Sequence, residues 1–205
     1  MKMPSNIDYI AFDLGRVLVD WDPSYLFSTL ISDKPRLAFM LEHIVTMDWI
    51  EEVDRGKLLS QAVEERIALF PAFSHELEEY GRRWIETIPN LIEGTVEIKR
   101  RLENKGYPLY ALSNFGRDTY ADALKIYPEL GAFTGAVISG HEGYIKPEPE
   151  IYKILLERYG LDAAKLLFID DRVDNVEMAQ SLGFQAVQFI SPEGLMAELA
   201  RLGVL

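Results

Sequence analysis

The chain has 205 residues and a formal net charge of −12 at pH 7. That length suits one domain, or one domain with a smaller insert, and buries a full core without covalent staples. The absence of cysteine excludes disulfides, thiol catalysis and thiolate metal sites. The excess of acid argues against broad nucleic-acid or anionic-membrane binding, since both need a basic face. No apolar run approaches the roughly 20 residues of a membrane span, and the opening MKMPSNIDYI lacks the apolar core of a signal peptide. The expectation is a cytoplasmic, soluble protein, monomeric or homodimeric.

In chain order, Tyr9–Phe12 is a short apolar run, aromatic and β-branched in part and ended by an acid, and reads as a buried strand. From Trp21 to Pro89 only helical periodicity follows, with Leu26, Leu30, Leu37, Met40, Leu41, Ile44, Leu58, Val63, Ile67, Leu77, Tyr80 and Trp84 at 3- or 4-residue spacings. This is too long for one crossover helix and reads as a helical insert above the first strand. Further strands are expected at Leu109–Leu112, Ala136–Ile138, Leu166–Ile169 and Ala186–Ile190. Pro147, Glu148 and Glu150 mark a helix opening and Gly160 its end; Ser191-Pro192 and Gly203 bracket the last helix. Strand–helix alternation predicts an α/β fold, a doubly wound, Rossmann-like parallel sheet, with a helical-bundle cap. The expected domains are a core of residues 1–20 and 90–205 and a cap of residues 21–89.

In such a sheet, ligands bind beyond the carboxyl ends of the strands. Asp13, Ser113-Asn114, Lys146 and Asp170-Asp171, with Asp174 behind them, are the residues that follow the apolar runs. Gathered on one edge, these carboxylates repel unless a cation pairs with them. One lysine is too few, and oxygen donors of this kind suit a hard divalent ion, Mg²⁺. Metal, lysine and hydroxyl together make a receptacle for a small anion, phosphate above all.

The segments Phe12-Asp13-Leu14-Gly15-Arg16-Val17, Leu112-Ser113-Asn114, Ile145-Lys146-Pro147 and Ile169-Asp170-Asp171 with Asp174-Asn175 resemble, in order, the four motifs of the haloacid dehalogenase superfamily. The resemblance covers nearly the whole chain. It implies a helical cap between the first and second motifs. It implies Asp13 as a nucleophile that forms an aspartyl intermediate, Ser113 and Asn114 as holders of the transferring group, and Lys146 as a charge neutraliser. It implies a metal held by Asp13, the Gly15 carbonyl and Asp170, with Asp171 and Asp174 as ligands or as acids behind the ligands. Arg16 is a further candidate for the substrate phosphate.

One position departs from the pattern. Phosphatases of this superfamily usually carry a second aspartate two residues after the nucleophile, and here that residue is Gly15. Loss of a general acid–base group costs about 10²–10⁴-fold. The expected activity is Mg²⁺-dependent hydrolysis of a small phosphorylated metabolite, a sugar phosphate being one example. A metal-independent 2-haloacid dehalogenase and a non-catalytic phospholigand- or partner-binding protein are the alternatives. Retention of Asp170 favours the phosphatase, and Arg36 is a weak match to a dehalogenase arginine. Trp49, Arg55 and Gly56 lie where a cap faces a site, though Trp49 reads first as core. Arg172 reads as an ion-pair partner for the acids. His43, His75 and His141 match no triad or metal spacing, and Glu76, Glu78 and Glu79 read as a solvated face.

Overall fold

The computed structural model describes residues 6–205. The first five residues, part of the N-terminal stretch read above for a leader, lie outside the described residues.

Strand β1 (Tyr9–Phe12) is the centre of the fold. It is followed by the two-residue strand β2 (Val19–Asp20) and then by α1 (Pro23–Leu30), α2 (Lys34–Phe39), a π turn (Met40–Ile44), α3 (Met47–Asp54), α4 (Leu59–Leu69) and α5 (Ser74–Arg83). Strand β3 (Asn90–Leu91) returns antiparallel to β2. Asp22 N donates to Thr87 O at 2.9 Å and Ile92 N to Leu18 O at 2.8 Å, so the two stems of the helical insert are tied together at their base. The chain continues as α6 (Glu93–Asn104), β4 (Leu109–Ser113), α7 (Arg117–Ile126), β5 (Gly135–Ile138), α8 (Ser139–Glu142), α9 (Pro149–Tyr159), β6 (Leu166–Asp170), α10 (Val173–Ser181), β7 (Gln185–Gln188) and α11 (Pro192–Arg201).

The main sheet is parallel throughout, in the order β5-β4-β1-β6-β7. Both of its faces are buried, as an all-parallel sheet requires. Ile10, Phe12, Leu109, Ala111, Leu167 and Ile169 pack on one side with Val96, Leu102, Leu195 and Leu199 of α6 and α11. Ala11, Tyr110, Leu112, Leu166 and Phe168 pack on the other with Ile151, Tyr152, Leu155 and Ala179 of α9 and α10. The period-2 alternation of side chains thus assigns each strand residue to one face. Apolar residues of the insert, Leu26, Phe27, Met40 and Ile44 among them, join the first of these clusters.

Several local expectations need correction. The helix expected at Pro147 begins at Pro149, because Glu148 N donates to Ile145 O and closes a turn over residues 145–148 first. The last strand ends at Gln188, not Ile190, which is exposed. Leu58 is exposed too, since it precedes α4 as its N-cap. Glu76 is buried, not part of a solvated face. Arg36 reaches it at 2.8 Å, so burial of the carboxylate is offset by a charge-assisted pair. Gly160 closes α9 in the left-handed conformation, as expected of a C-terminal glycine.

Candidate active site

The chain leaves β1 for β4 and β5 on one side and for β6 and β7 on the other, so β1 lies where the strand order reverses. The residues at its carboxyl end and at those of its two neighbours come together there. Asp13 follows β1, Ser113 ends β4 and Asp170 ends β6.

Asp13 is buried, and its Oδ1 accepts from Leu14 N and Ser113 Oγ, both at 2.7 Å. Lys146 Nζ stands 2.9 Å from the same oxygen and 2.5 Å from Asp170 Oδ2. Lys146 is 1% exposed and Asp170 0%. Burial pulls the lysine pKa down, but Asp13 and Asp170 outweigh it and hold the pKa above its ordinary value. Asp13 is pushed up to about 7 by burial, against the pull of Lys146 and with the repulsion of Asp170 and Asp171 behind it. Among the described residues none donates a hydrogen bond to Asp13 Oδ2.

Lys146 is fixed through its backbone. Lys146 N donates to Asn114 Oδ1 at 2.7 Å, and Asn114 Nδ2 donates to Lys146 O at 3.0 Å. The Asn114 side chain, expected on the substrate, is therefore spent on the lysine, although Asn114 still lines the cavity above the site.

Carboxylate oxygens of Asp13, Asp170 and Asp171 lie within 4.8 Å of one another. Asp171 is raised above the usual carboxylate range by burial and by Asp170. Asp174 does not join them: Arg172 Nη2 takes its Oδ2 at 2.7 Å and holds its pKa down. The bland reading of Arg172 as an ion-pair partner is the one the geometry bears out. Asn175, quoted above only as part of a motif, donates to both Asp170 oxygens at 2.9 and 3.1 Å. Its own Oδ1 is buried without a partner. Three crowded carboxylates, two of them displaced upward, and an orphaned oxygen beside them all ask for a positive charge. The hard-oxygen donor set fits Mg²⁺.

A cavity of about 300 Å³ opens above this edge. Gly15 and Arg16 belong to its wall. Arg16 adopts a left-handed backbone (φ 57°), donates from Nε to Trp21 O at 3.2 Å and lies over the Trp21 ring. The insert supplies most of the remaining wall, including Trp49, Ile50, Val53, Asp54 and Trp84. Trp49 is both core and wall: it is buried, and its Nε1 donates to Ala62 O at 3.3 Å. Arg55 turns to Glu148, and Gly56 (φ 107°) packs so closely on Gly140 that a Cβ would meet its carbonyl at 2.9 Å. Arg36 lies on the Phe73 ring, away from the cavity wall.

Asp54 is the residue that the sequence did not single out. It ends α3, is half-buried, and turns its remaining surface into the cavity. Burial and the charges of Glu51 and Asp13 push it up to about 7, against Lys146 and the Gly116 backbone N–H. The available signal was an acid at the negative end of a helix dipole, where a carboxylate is disfavoured.

The family model for haloacid dehalogenase-like hydrolases matches residues 7–183. The chain belongs to the haloacid dehalogenase-like hydrolases. It is 25% identical over 193 residues to sesquiterpene phosphatase astK of Aspergillus oryzae, covering 93% of this chain and 94% of that protein. It is 23% identical to D-ribitol-5-phosphate phosphatase of Bacteroides thetaiotaomicron, with 89% and 91% covered. Among solved structures, the fold is shared with a haloacid dehalogenase family enzyme of B. thetaiotaomicron in complex with magnesium and inorganic phosphate (TM-score 0.72, 21% identity, 90% of this chain and 95% of that one). No helix among the described residues is long and apolar enough to cross a membrane.

Proposed function

We propose that the protein is a Mg²⁺-dependent phosphatase that hydrolyses a small phosphorylated metabolite through a phospho-Asp13 intermediate. The observation that carries this reading is the buried Lys146, shared between Asp13 at 2.9 Å and Asp170 at 2.5 Å beside a third acid, Asp171. Phosphoryl transfer asks mainly for alignment and charge neutralisation, and this set supplies both. Asp13 Oδ2 attacks phosphorus, while Ser113 and Lys146 fix the other carboxylate oxygen. Asp13, Asp170 and Asp171 would hold the Mg²⁺ ion, which would supply charge stabilisation for the phosphoryl oxygens. Asp174 keeps Arg172 in place behind this set, and the helical insert serves as a cap that keeps bulk water from the intermediate.

The cavity wall points to the alcohol half of the substrate. Trp49, Ile50, Val53, Trp84, Ile88 and Phe115 line it beside polar side chains such as Arg16, Glu51, Tyr80 and Thr119, and this apolar stretch offers no partners for the hydroxyls of a sugar. We therefore read the substrate as the monophosphate of a largely apolar alcohol. The relative named a sesquiterpene phosphatase supports this, while the relative named for ribitol phosphate makes polyol phosphates the competing class.

Phosphate release from p-nitrophenyl phosphate, a prenyl monophosphate and a panel of sugar and polyol phosphates, with Mg²⁺ and with EDTA, tests the reading. EDTA-sensitive release, highest for the prenyl ester and lost in Asp13→Asn, is expected. A preference for polyol phosphates would overturn the substrate class alone. Chloride release from 2-chloropropionate unaffected by EDTA, with no phosphate release, would overturn the phosphatase.

A further inference from the structure

Hydrolysis of an alkyl phosphate needs a proton at two moments. The departing alkoxide must receive one, and the water that later attacks the intermediate must lose one. Few groups on the cavity wall can serve both. Asp13 is the nucleophile of the proposed reaction. Asp170 has both oxygens occupied, by Lys146, Asn175 and the Arg172 backbone N–H. Asp171 stands in the metal-binding group. Gly15 carries no side chain, and a Cβ built on it meets nothing within 4 Å, so the space beside Asp13 on that side is open. Tyr80 is held protonated, chiefly by burial, and gives up its proton too reluctantly to serve as the acid.

Asp54 remains. It projects from the insert into the cavity that Asp13 and Lys146 line from the other side, and the charges of both bear on it. Its possible counter-ions are engaged elsewhere: Arg55 with Glu148 at 2.6 Å, Lys57 with Glu52 and Glu65 at 2.6 and 2.7 Å, and Arg172 with Asp174 at 2.7 Å. Glu51, the other acid of α3 on this wall, lies 3.9 Å from Arg172. Among the described residues Asp54 forms no salt bridge, and a carboxyl group on a wall shared with Trp49, Val53 and Trp84 costs stability and has no packing purpose that an apolar residue would not serve better.

Resting on the phosphatase reading, we propose that Asp54 is the general acid and base of this enzyme, delivered to the reaction by the helical insert. In the first step Asp13 Oδ2 forms a bond to phosphorus and the phosphorus–oxygen bond to the alcohol breaks. Its electron pair stays on that oxygen, which takes the proton from Asp54. In the second step a water oxygen attacks phosphorus and gives its proton to the Asp54 carboxylate. The bond to Asp13 breaks, releasing inorganic phosphate and restoring both carboxyl groups to their starting states.

Groups from every side bear on Asp54: Glu51 on its own helix, Tyr80 from α5, Asp13 and Lys146 from the sheet edge, and the Gly116 N–H before α7. Burial, with Glu51 and Asp13 and against Lys146 and the Gly116 N–H, pushes it up to about 7, so that it exchanges a proton near neutral pH.

The test compares leaving groups in the Mg²⁺-loaded enzyme. Asp54→Asn is isosteric and cannot transfer a proton. Turnover of a saturated alkyl phosphate should fall about 10²–10⁴-fold. Formation of the phosphoenzyme from p-nitrophenyl phosphate, whose leaving group needs no proton, should fall less than about tenfold. Rapid acid quench should then show phospho-Asp13 accumulating, because its hydrolysis has lost its base. In the wild type, needing no substitution, the ratio of alkyl to p-nitrophenyl turnover should drop as pH rises through about 7. Equal losses in the rate of phosphoenzyme formation from both substrates, or a wild-type ratio independent of pH, would overturn the role of Asp54 and leave the phosphatase standing. Absence of Mg²⁺-dependent phosphate release from the wild type would instead overturn the phosphatase reading itself.

Discussion

Arg55 of the helical insert and Glu148 of the loop before α9 are joined by two parallel hydrogen bonds, Nη1 to Oε2 at 3.0 Å and Nη2 to Oε1 at 2.6 Å. The pair spans from the insert to the loop before α9, and each end lies beside a residue of the proposed site. Arg55 follows Asp54 directly, while Glu148 Oε2 also accepts from Ile145 N at 3.1 Å, next to Lys146. Because both side chains are partly exposed, the pair contributes little to stability, at most about 1 kcal/mol. Its expected effect is on geometry. Arg55→Ala should melt within a few degrees of the wild type yet lose about 3- to 10-fold in kcat/KM, since small misplacements of catalytic groups are expensive. High salt should weaken the wild type and leave Arg55→Ala insensitive, because the screened pair is already gone. Kinetics at low and high NaCl beside a thermal melt check both points.

Lys146 is the only side-chain cation in contact with Asp13 and Asp170 among the described residues. Removing it leaves buried carboxylates without their partner, a change that typically costs about 3–5 kcal/mol. Lys146→Met should therefore be strongly destabilised in EDTA. Mg²⁺ should recover more stability in this variant than in the wild type, because the ion becomes the sole compensating charge. In the wild type, ligand linkage gives about 2.7 kcal/mol of stabilisation at a Mg²⁺ concentration 100 times its Kd. Melting curves across a Mg²⁺ titration read this out, and a wild-type melt indifferent to Mg²⁺ would count against the metal site.

Gly15 occupies the position where a second acid usually follows the nucleophile in phosphatases of this superfamily. The backbone there does not require glycine, and a Cβ would meet nothing within 4 Å. Gly15→Asp should fold normally. If proton transfer to the leaving alcohol limits turnover, this variant should raise alkyl phosphate hydrolysis in the Asp54→Asn background, by about tenfold or more. Steady-state assays of the single and double variants make the comparison, and no gain in the double variant would argue that Asp54 acts otherwise than as a proton carrier.

The parallel sheet and the edge that gathers the candidate site residues were legible in the chain because both follow from short-range pattern. Apolar runs end at Asp13, Ser113 and Asp170, and strand alternation then fixes which edge those residues reach. What the pattern hides are choices among partners made in three dimensions. Asp174 has acids and a cation within reach, and Arg172, two residues away, takes it at 2.7 Å. Asn114 could face a ligand, but the two polar groups of the Lys146 backbone match its amide. Glu76 sits in an acidic stretch and is buried only because Arg36, far off in sequence, reaches it. Asp54 depends on the rotation of α3 over the sheet edge, which residue spacing within the insert does not determine.

The same burial that suits Asp54 to proton transfer has a signature in stability. Its pKa is raised from 3.8 to about 7 in the folded state, so between those values the folded protein holds a proton that the unfolded chain has released. Stability therefore falls as pH rises across that window, and the contribution is fully present only below about 4. The full shift corresponds to about 4 kcal/mol across that window. Asp13, raised to about 7, and Asp171, raised above the usual range, act with the same sign in the metal-free protein. Mg²⁺ should hold those two ionised and remove their part of the slope, while Asp54, outside the metal-binding group, keeps its own. Denaturant unfolding from pH 4 to pH 8 in saturating Mg²⁺ should thus retain a downward slope in the wild type. Asp54→Asn should flatten it and be the more stable protein at pH 8. A slope unchanged by the substitution would mean that Asp54 is ionised throughout that range.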